Sequence, residues 1–208
     1  YEYIAITDHW RATPFGGTLD SKNYKKYVAE IRATEKFIGI KVFAGTEVDI
    51  LEDGTLAAED VYLRAFDIVL GGVHSHFHLS RAAQTARLER AMQNPFLDII
   101  VHPTGRVLKR RDEYAFDRKK VFAAAKKAKT FLEIDAYPDR LDLRDTYIRE
   151  AIAAGVTLTI DTDAHATEHL QNMELGIAQA RRGWAEKSDI ANTRAYKTFR
   201  AMLKRNKK

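Results

Sequence analysis

The sequence predicts an α/β protein in which parallel strands alternate with helices and close into a barrel. Short apolar, β-branched runs recur at intervals of roughly 30 residues with amphipathic segments between them, the spacing of βα units. Each run is followed by a polar side chain. No internal repeat, low-complexity segment or linker interrupts the 208 residues, so we expect one domain over residues 1–208.

The number of strands narrows this prediction. Six strands are visible in the sequence, whereas the common closed βα barrel has about eight. A smaller barrel, or a barrel whose first unit lies upstream of Tyr1, therefore fits the sequence better than a doubly wound sheet.

The predicted strands are short runs rich in Val, Ile, Thr and Phe. In chain order they cover residues 3–7, 41–46, 68–73, 98–101, 130–134 and 156–160. Segment 10–21 contains Pro14, Gly16 and Gly17, so we expect it to form a loop after the first strand.

The predicted helices place apolar residues three or four positions apart, with charged residues between them. In chain order they cover residues 23–37, 57–65, 79–93, 117–129, 143–154, 170–182 and 192–204. Gly39 and Gly155 end two of these helices, and the Asn94-Pro95 pair stops a third. The residues after Lys204 are expected to fray.

The composition limits the classes of function. Hydrophobic residues make up 45% of the chain and charged residues 30%, an ordinary balance for a globular domain. Cysteine is absent, which excludes disulfides and thiolate metal sites and agrees with a cytoplasmic location. No apolar run is long enough to span a bilayer, so no membrane partner is expected. The net charge of +5 permits an anionic substrate.

Six side chains at the ends of five strands form the candidate site. They are His9, Glu47, His74, His102, Asp163 and His165. The carboxyl ends of the strands of a βα barrel converge on one face, where active sites are built. Imidazole and carboxylate ligands without sulfur suit zinc or manganese. Because paired ions stabilise the attacking and leaving oxygens of a phosphate ester, the pattern predicts a cluster of two or three divalent ions and phosphoester hydrolysis.

Other polar residues receive more ordinary interpretations. His76 and His78 lie further along the loop after His74 and are expected to be exposed. Arg106 follows His102 in the next loop, where a guanidinium could bind a substrate phosphate bidentately; Arg110 and Arg111 are weaker candidates for the same role. The sequence has neither a phosphate-binding loop of the Walker type nor a Gly-x-Ser-x-Gly elbow, so serine nucleophile chemistry has no support.

Several motifs resemble those of the PHP domain, the polymerase and histidinol phosphatase superfamily. They are Thr-Asp-His at 7–9, Gly-Thr-Glu-Val-Asp-Ile-Leu at 45–51, Val-His-Ser at 73–75, His-Pro-Thr-Gly-Arg at 102–106 and Thr-Asp-Ala-His at 162–165. Arg-Leu-Asp-Leu-Arg-Asp at 140–145 and Ala-Arg-Arg-Gly-Trp at 180–184 are most similar to the C-terminal PHP domain of bacterial X-family DNA polymerases.

The resemblance implies a distorted seven-stranded βα barrel that holds up to three ions of manganese, zinc or iron. The implied metal ligands are His9, Glu47, His74, His102, Asp163 and His165, with Asp163 and His102 as catalytic residues. The implied activity is a 3′-5′ exonuclease that processes DNA 3′ ends in repair, within a protein whose upstream region is a DNA polymerase. The alternative is a phosphomonoesterase like histidinol phosphatase, and a third possibility is a DNA-positioning module without turnover.

The sequence departs from the family pattern at its start. The family's first strand ends in a His-x-His motif followed by an acidic ligand, and these should precede Tyr1. We therefore expect an N-terminally truncated domain that lacks its first βα unit. Asp-Ala-Tyr-Pro at 135–138 also departs from the Asn-rich version of that loop in the family.

Overall fold

A six-stranded, wholly parallel sheet with helices packed on it forms the framework of the protein. The computed structural model describes residues 1–10 and 19–204. The strands in this part of the chain are β1 Tyr3–Ile6, β2 Lys41–Asp49, β3 Ile68–Gly72, β4 Ile99–Ile100, β5 Phe131–Asp135 and β6 Leu158–Asp161. Most of the predicted 10–21 loop and the tail beyond Lys204 lie outside the described residues.

Seven α-helices occur within the described ranges. They are α1 Tyr24–Ile38, α2 Asp60–Leu63, α3 Arg81–Met92, α4 Arg118–Ala128, α5 Asp145–Ala153, α6 Met173–Arg182 and α7 Tyr196–Met202. Asp117 caps α4 by accepting a hydrogen bond from the Lys120 amide, and Gly39 follows α1 with a positive φ of 73°. None of these helices has both the length and the apolar character needed to cross a membrane.

The strands pair in chain order, from β1 to β6, so that each strand lies beside the next one in the sequence. This order confirms the predicted alternation of parallel strands and helices, and the sheet is curled into an open half-barrel. Closure by a seventh strand and an additional first βα unit stay predictions.

Several boundaries differ from those expected. Strand β2 continues to Asp49 because residues 45–49 pair with the whole of β3, so Glu47 lies inside the strand rather than after it. Helix α2 is confined to Asp60–Leu63. The predicted 170–182 and 192–204 helices each begin later. Their first residues belong to the 3₁₀ turns Thr167–Asn172 and Ala191–Thr193.

Both faces of the sheet are buried, but by different partners. One face packs against helices α3 to α6 through a large apolar cluster that includes Leu88, Phe122 and Ile148. The opposite face contributes Phe43 and Phe131 to a second cluster, with Phe199 of α7 and Leu203. Because side chains alternate along a strand, the residues two and four positions after these phenylalanines continue on the α7 face.

That alternation positions the site. Glu47 lies four residues after Phe43, and Glu133 and Asp135 lie two and four residues after Phe131. These side chains share the face that α7 covers near the amino ends of the strands, and they lie toward the carboxyl ends. The apolar half of this face therefore ends where a layer of buried acidic side chains begins.

Candidate metal centre

Four neighbouring strands bring together His9, Glu47, His74 and His102. His9 forms a parallel bridge with Glu47, and the amide of Trp10 donates to the Glu47 carbonyl at 2.8 Å. His74 follows β3, which pairs with β2, and His102 follows β4. Strand pairing thus places three imidazoles around the one glutamate that β2 directs to this face.

Glu47 is the centre of this group. Its Oε1 lies 3.0 Å from His74 Nε2 and 3.1 Å from His102 Nε2, and its Oε2 lies 3.9 Å from His9 Nδ1. The candidate ligand atoms of His9, Glu47 and His74 all lie within 4.8 Å of one another. Sites in proteins that hold a divalent ion bring nitrogen and oxygen ligands together in this way.

Asp49 orients one of these histidines. Its Oδ1 contacts His74 Nδ1, which leaves Nε2 directed at Glu47. A carboxylate behind a histidine fixes the tautomer and orientation of the ring and increases its basicity as a ligand. Sequence reasoning did not assign Asp49 a role, although its position two residues after Glu47 on the same strand was a usable signal.

The protonation of these groups follows from burial and from mutual hydrogen bonds. Burial raises the pKa of Glu47, but hydrogen bonds from His102 and His74 outweigh burial and hold the pKa well below its ordinary value. Burial lowers the pKa of His74, yet hydrogen bonds to Asp49 and Glu47 raise it to about 9. Burial lowers the pKa of His102. In the metal-free protein Glu47 is therefore ionised and His74 beside it carries a proton, which His74 releases when it binds a metal ion.

The surroundings fit an ion held by these residues. A Cβ atom at Gly72 would lie 2.6 Å from His74 Cε1 and 2.7 Å from Glu47 Oε1, so glycine leaves the space that the cluster needs. Within the described part of the chain, Nδ1 of His9 and Nδ1 of His102 are buried and have no hydrogen-bond partner. The group could therefore bind a metal ion, and its sulfur-free ligands are of the type that zinc and manganese accept.

Strands β5 and β6 carry a second, acidic part of the site. Glu133 pairs in register with Thr159, and Asp135 with Asp161. Burial, reinforced by the charge of neighbouring carboxylates, raises the pKa of Glu133 and of Asp135 well above their ordinary values. Burial also raises the pKa of Asp161, to about 6. The Glu133 carboxylate accepts a hydrogen bond from the His102 amide and so joins the two parts.

Asp163 and His165 lie on the acidic side. Asp163 has a positive φ of 45°, and its Oδ2 lies 3.4 Å from Nε of Arg140. The Nδ1 atom of His165 lies 2.7 Å from the Asp163 carbonyl oxygen, and the His165 side chain is 62% exposed. Neither residue belongs to the group around Glu47. Their roles as ligands, and the catalytic roles of Asp163 and His102, stay predictions.

Arg106 turns toward the loop after β5. Its Nε donates to the Arg140 carbonyl at 2.8 Å, its Nη2 donates to the Leu141 carbonyl, and its Nη1 lies 3.9 Å from Glu113 Oε1. Three of the donors that would bind a phosphate thus have partners within the protein. The predicted contact of Arg106 with substrate stays a prediction.

The loops that leave His74 and His102 border a cleft of about 780 Å³. Phe77, Arg110, Arg111 and Tyr114 are among its lining residues, and the Arg111 guanidinium lies 3.8 Å from the centre of the Phe77 ring. His78 lines the same cleft and is exposed, as expected.

The chain is similar to proteins of two kinds. It is 42% identical over 207 residues to DNA polymerase/3′-5′ exonuclease PolX of Bacillus subtilis (strain 168), a match that covers 99% of this chain and 36% of that protein. It is 26% identical over 203 residues to a probable phosphatase of Thermoanaerobacter sp. (strain X514), covering 92% of this chain and 78% of that protein. It is 28% identical over 174 residues to a probable phosphatase of Caldanaerobacter subterraneus subsp. tengcongensis, of which it covers 64%. No protein-family model matches the chain.

Proposed function

We propose that this chain is a metal-dependent phosphoesterase of the PHP type that removes nucleotides from DNA 3′ ends within an X-family DNA polymerase. The observation that carries the proposal is the buried Glu47 with His9, His74 and His102 around it at the carboxyl ends of parallel strands. The 42% identity to a protein named as a polymerase and 3′-5′ exonuclease supports the same activity. The chain spans only 36% of that relative, so the exonuclease role, the DNA partner, the upstream polymerase region, a part in DNA repair and a cytoplasmic location are all proposals.

The group around Glu47 would hold a divalent ion, and Asp163 and His165 would extend the site to as many as three ions of manganese, zinc or iron. Such ions supply Lewis acidity and lower the pKa of water. Asp49 keeps the Nε2 atom of His74 available by engaging its Nδ1. Because burial lowers the pKa of His102, its imidazole is neutral near pH 7, the form that binds metals.

The reaction is hydrolysis of the terminal phosphodiester. A water molecule gives up a proton as its oxygen forms a bond to phosphorus, the bond from phosphorus to the 3′ oxygen of the preceding nucleotide breaks, and that oxygen takes up a proton as a mononucleotide leaves. His102 and Asp163 are the residues that we assign to this step, because they lie on the two parts of the site between which the phosphate would sit. The cleft beside Phe77 and Arg111 would take the adjoining nucleotides.

A second candidate function is hydrolysis of a small phosphomonoester, as in histidinol phosphatase. It is favoured by the similarity to probable phosphatases, one of which this chain covers over 78% of its length. A DNA-positioning module without turnover is the third interpretation.

The test compares two substrates with and without Mn²⁺ or Zn²⁺, using the chain by itself and the polymerase polypeptide in which we expect it. We expect mononucleotides to be released stepwise from a single-stranded oligonucleotide. His102→Ala and Asp163→Ala should abolish release while circular dichroism shows a retained fold. Phosphate released from histidinol phosphate, with no nucleotides from DNA, would establish the second candidate. Failure of the metal-loaded polypeptide to hydrolyse either substrate would establish the third.

A further inference from the structure

The loop between β5 and α5 carries an arginine into the acidic part of the site. Arg140 Nε lies 3.4 Å from Asp163 Oδ2 and 3.5 Å from Asp135 Oδ2. The Arg140 side chain is 19% exposed, and its Nη1 atom is buried without a hydrogen-bond partner among the residues that the structure describes. A guanidinium with an unsatisfied, buried N–H group is arranged to bind a further acceptor.

The backbone of this loop is fixed by hydrogen bonds from several directions. The Arg140 amide donates to the Tyr137 carbonyl at 2.9 Å, and the Leu108 amide donates to the Asp139 carbonyl at 2.6 Å. The Thr104 amide donates to Asp142 Oδ2 at 2.9 Å. Arg140 is therefore attached to a rigid support, which is what the binding of a reacting group requires.

Arg106 is one of these supports. Two of its guanidinium nitrogens hold the carbonyls of Arg140 and Leu141, and Leu141 has a positive φ of 48°. A non-glycine residue in this conformation needs surrounding contacts to maintain it. Arg106 thus stabilises the loop conformation that directs Arg140 at Asp163.

We propose that Arg140, rather than Arg106, binds the phosphoryl group of the substrate, and that Arg106 is a positioning residue for Arg140. The inference rests on the proposed function and identifies the phosphate-binding side chain of that site. The planar guanidinium would keep its Nε atom toward Asp163 and Asp135 and donate from Nη1 to a non-bridging phosphate oxygen. A positive charge there also offsets the repulsion between the buried carboxylates and an anionic substrate.

The experiment measures binding of inorganic phosphate to the zinc-loaded protein by isothermal titration calorimetry, together with KM and kcat for the hydrolysed substrate. Arg140→Gln should raise the Kd for phosphate and the KM by about 10- to 100-fold, the value of a hydrogen bond to a charged group, with an unchanged zinc content. Arg140→Lys should recover only part of the loss, because lysine lacks the planar fork. Arg182→Gln, which removes an exposed ion pair with Asp145 at 3.0 Å, is the matched control and should change neither constant.

The role of Arg106 is tested by a double-mutant cycle. Arg106→Lys should raise KM less than Arg140→Gln does, and adding it to Arg140→Gln should cause no further increase, because it acts through Arg140. Additive effects on KM would overturn the positioning role and return Arg106 to direct contact with phosphate.

The proposal would be overturned if Arg140→Gln bound phosphate as tightly as the wild type and only its unfolding midpoint changed. Arg140 would then be only a partner of the buried carboxylates. If Arg140→Gln does not fold, the double variant Asp135→Asn/Arg140→Gln is measured instead, because it also removes the carboxylate that Arg140 contacts. Weakened phosphate binding in the double variant would support the proposal, and unchanged binding would overturn it. A wild-type protein that binds phosphate through Arg140 but hydrolyses no phosphoester would refute the proposed function while supporting this inference.

Discussion

The site has a histidine side, formed by His9, Glu47, His74 and His102, and a carboxylate side, formed by Glu133, Asp135, Asp161 and Asp163. The two sides differ in how their buried negative charges are compensated. On the histidine side, Glu47 lies beside His74 and His102 at 3.0 and 3.1 Å, so the negative charge has partners within the protein. On the carboxylate side, Glu133, Asp135 and Asp161 are buried together, with Arg140 in contact with Asp135.

The consequence is visible in the direction of the pKa shifts. The pKa of Glu47 is held well below its ordinary value, whereas those of Glu133 and Asp135 are raised well above theirs. On the histidine side, Glu47 is thus already ionised, the form in which a carboxylate binds a metal ion. On the carboxylate side, burial first and neighbouring carboxylates second disfavour the ionised forms, which a nearby cation would favour.

The largest effect is expected from the centre of the histidine side. Glu47→Gln should weaken zinc binding by more than about 100-fold, because even a residue that only orients a ligand is worth about 10- to 100-fold. Calorimetric titration with Zn²⁺ measures this. Glu52→Gln is the control, because its exposed carboxylate lies 3.5 Å from His76 and should be dispensable. Equal zinc affinity in Glu47→Gln and the wild type would remove Glu47 from the site.

A smaller effect should follow loss of the carboxylate behind His74. Asp49→Asn should weaken zinc binding by about 10- to 100-fold. It should also lower the pKa of His74 from about 9, because the hydrogen bond to Asp49 is one of the contacts that raise it. An NMR titration of the histidine ring in metal-free protein tests the second statement. An unchanged His74 titration would show that Asp49 does not control this ring.

On the carboxylate side, neutralising a charge should stabilise the metal-free protein. Asp161 has a folded pKa of about 6, and an unfolded aspartate titrates near 3.9. The folded state therefore keeps the Asp161 proton that the unfolded chain loses, so stability falls as pH rises from about 4 to about 6 and stays low above that range. Asp161→Asn should remove this fall and add on the order of 1–3 kcal/mol at pH 8.

Urea denaturation across that pH range measures the difference. Asp145→Asn is the opposite control: burial raises the pKa of Asp145, but hydrogen bonds from the Thr146 amide and Arg182 outweigh burial and lower it. Its substitution should destabilise the protein near neutral pH. If the free energy of unfolding changed with pH equally in Asp161→Asn and the wild type, burial would not raise the pKa of Asp161 and the two sides would not differ in this way.

The smallest effect is expected at His76, just outside the histidine side. Its side chain is 52% exposed and lies 3.5 Å from Glu52 Oε2. Exposed ion pairs contribute little, so His76→Ala should change the free energy of unfolding by no more than about 0.5 kcal/mol and leave zinc binding intact. Reduced zinc content in this variant would extend the site beyond His74.

Much of the framework could be read from local patterns. The alternation of apolar runs with helical periodicity predicted all six strands among the described residues, and polar residues in or after these strands identified His9, Glu47, His74 and His102 as neighbours. The predicted ends of strands were less accurate where pairing with a neighbouring strand sets the end. Strand β2 reaches Asp49 only because β3 offers hydrogen-bond partners along that length.

The loop arginines mark the limit of prediction. Arg106 lies close to His102 in the sequence, and its contact with substrate stays a prediction; the structure shows its guanidinium held by carbonyls 34 and 35 residues away. Arg140 received no role from the sequence, yet it contacts Asp163. Spacing in the sequence does not determine where a long side chain points once a loop is folded.

The sequence by itself determined which strands form and which ligand types follow them, because hydrophobic periodicity and side-chain alternation are local properties of the chain. The tertiary structure decided which polar groups pair with each other: Asp49 with His74, Glu133 with the His102 amide, and Arg140 with Asp135. Asp135 and Arg140 are 5 positions apart in the sequence, and His102 and Glu133 are 31 positions apart. The formation of these contacts depends on strand register and loop hydrogen bonds, which arise only when the whole sheet is assembled.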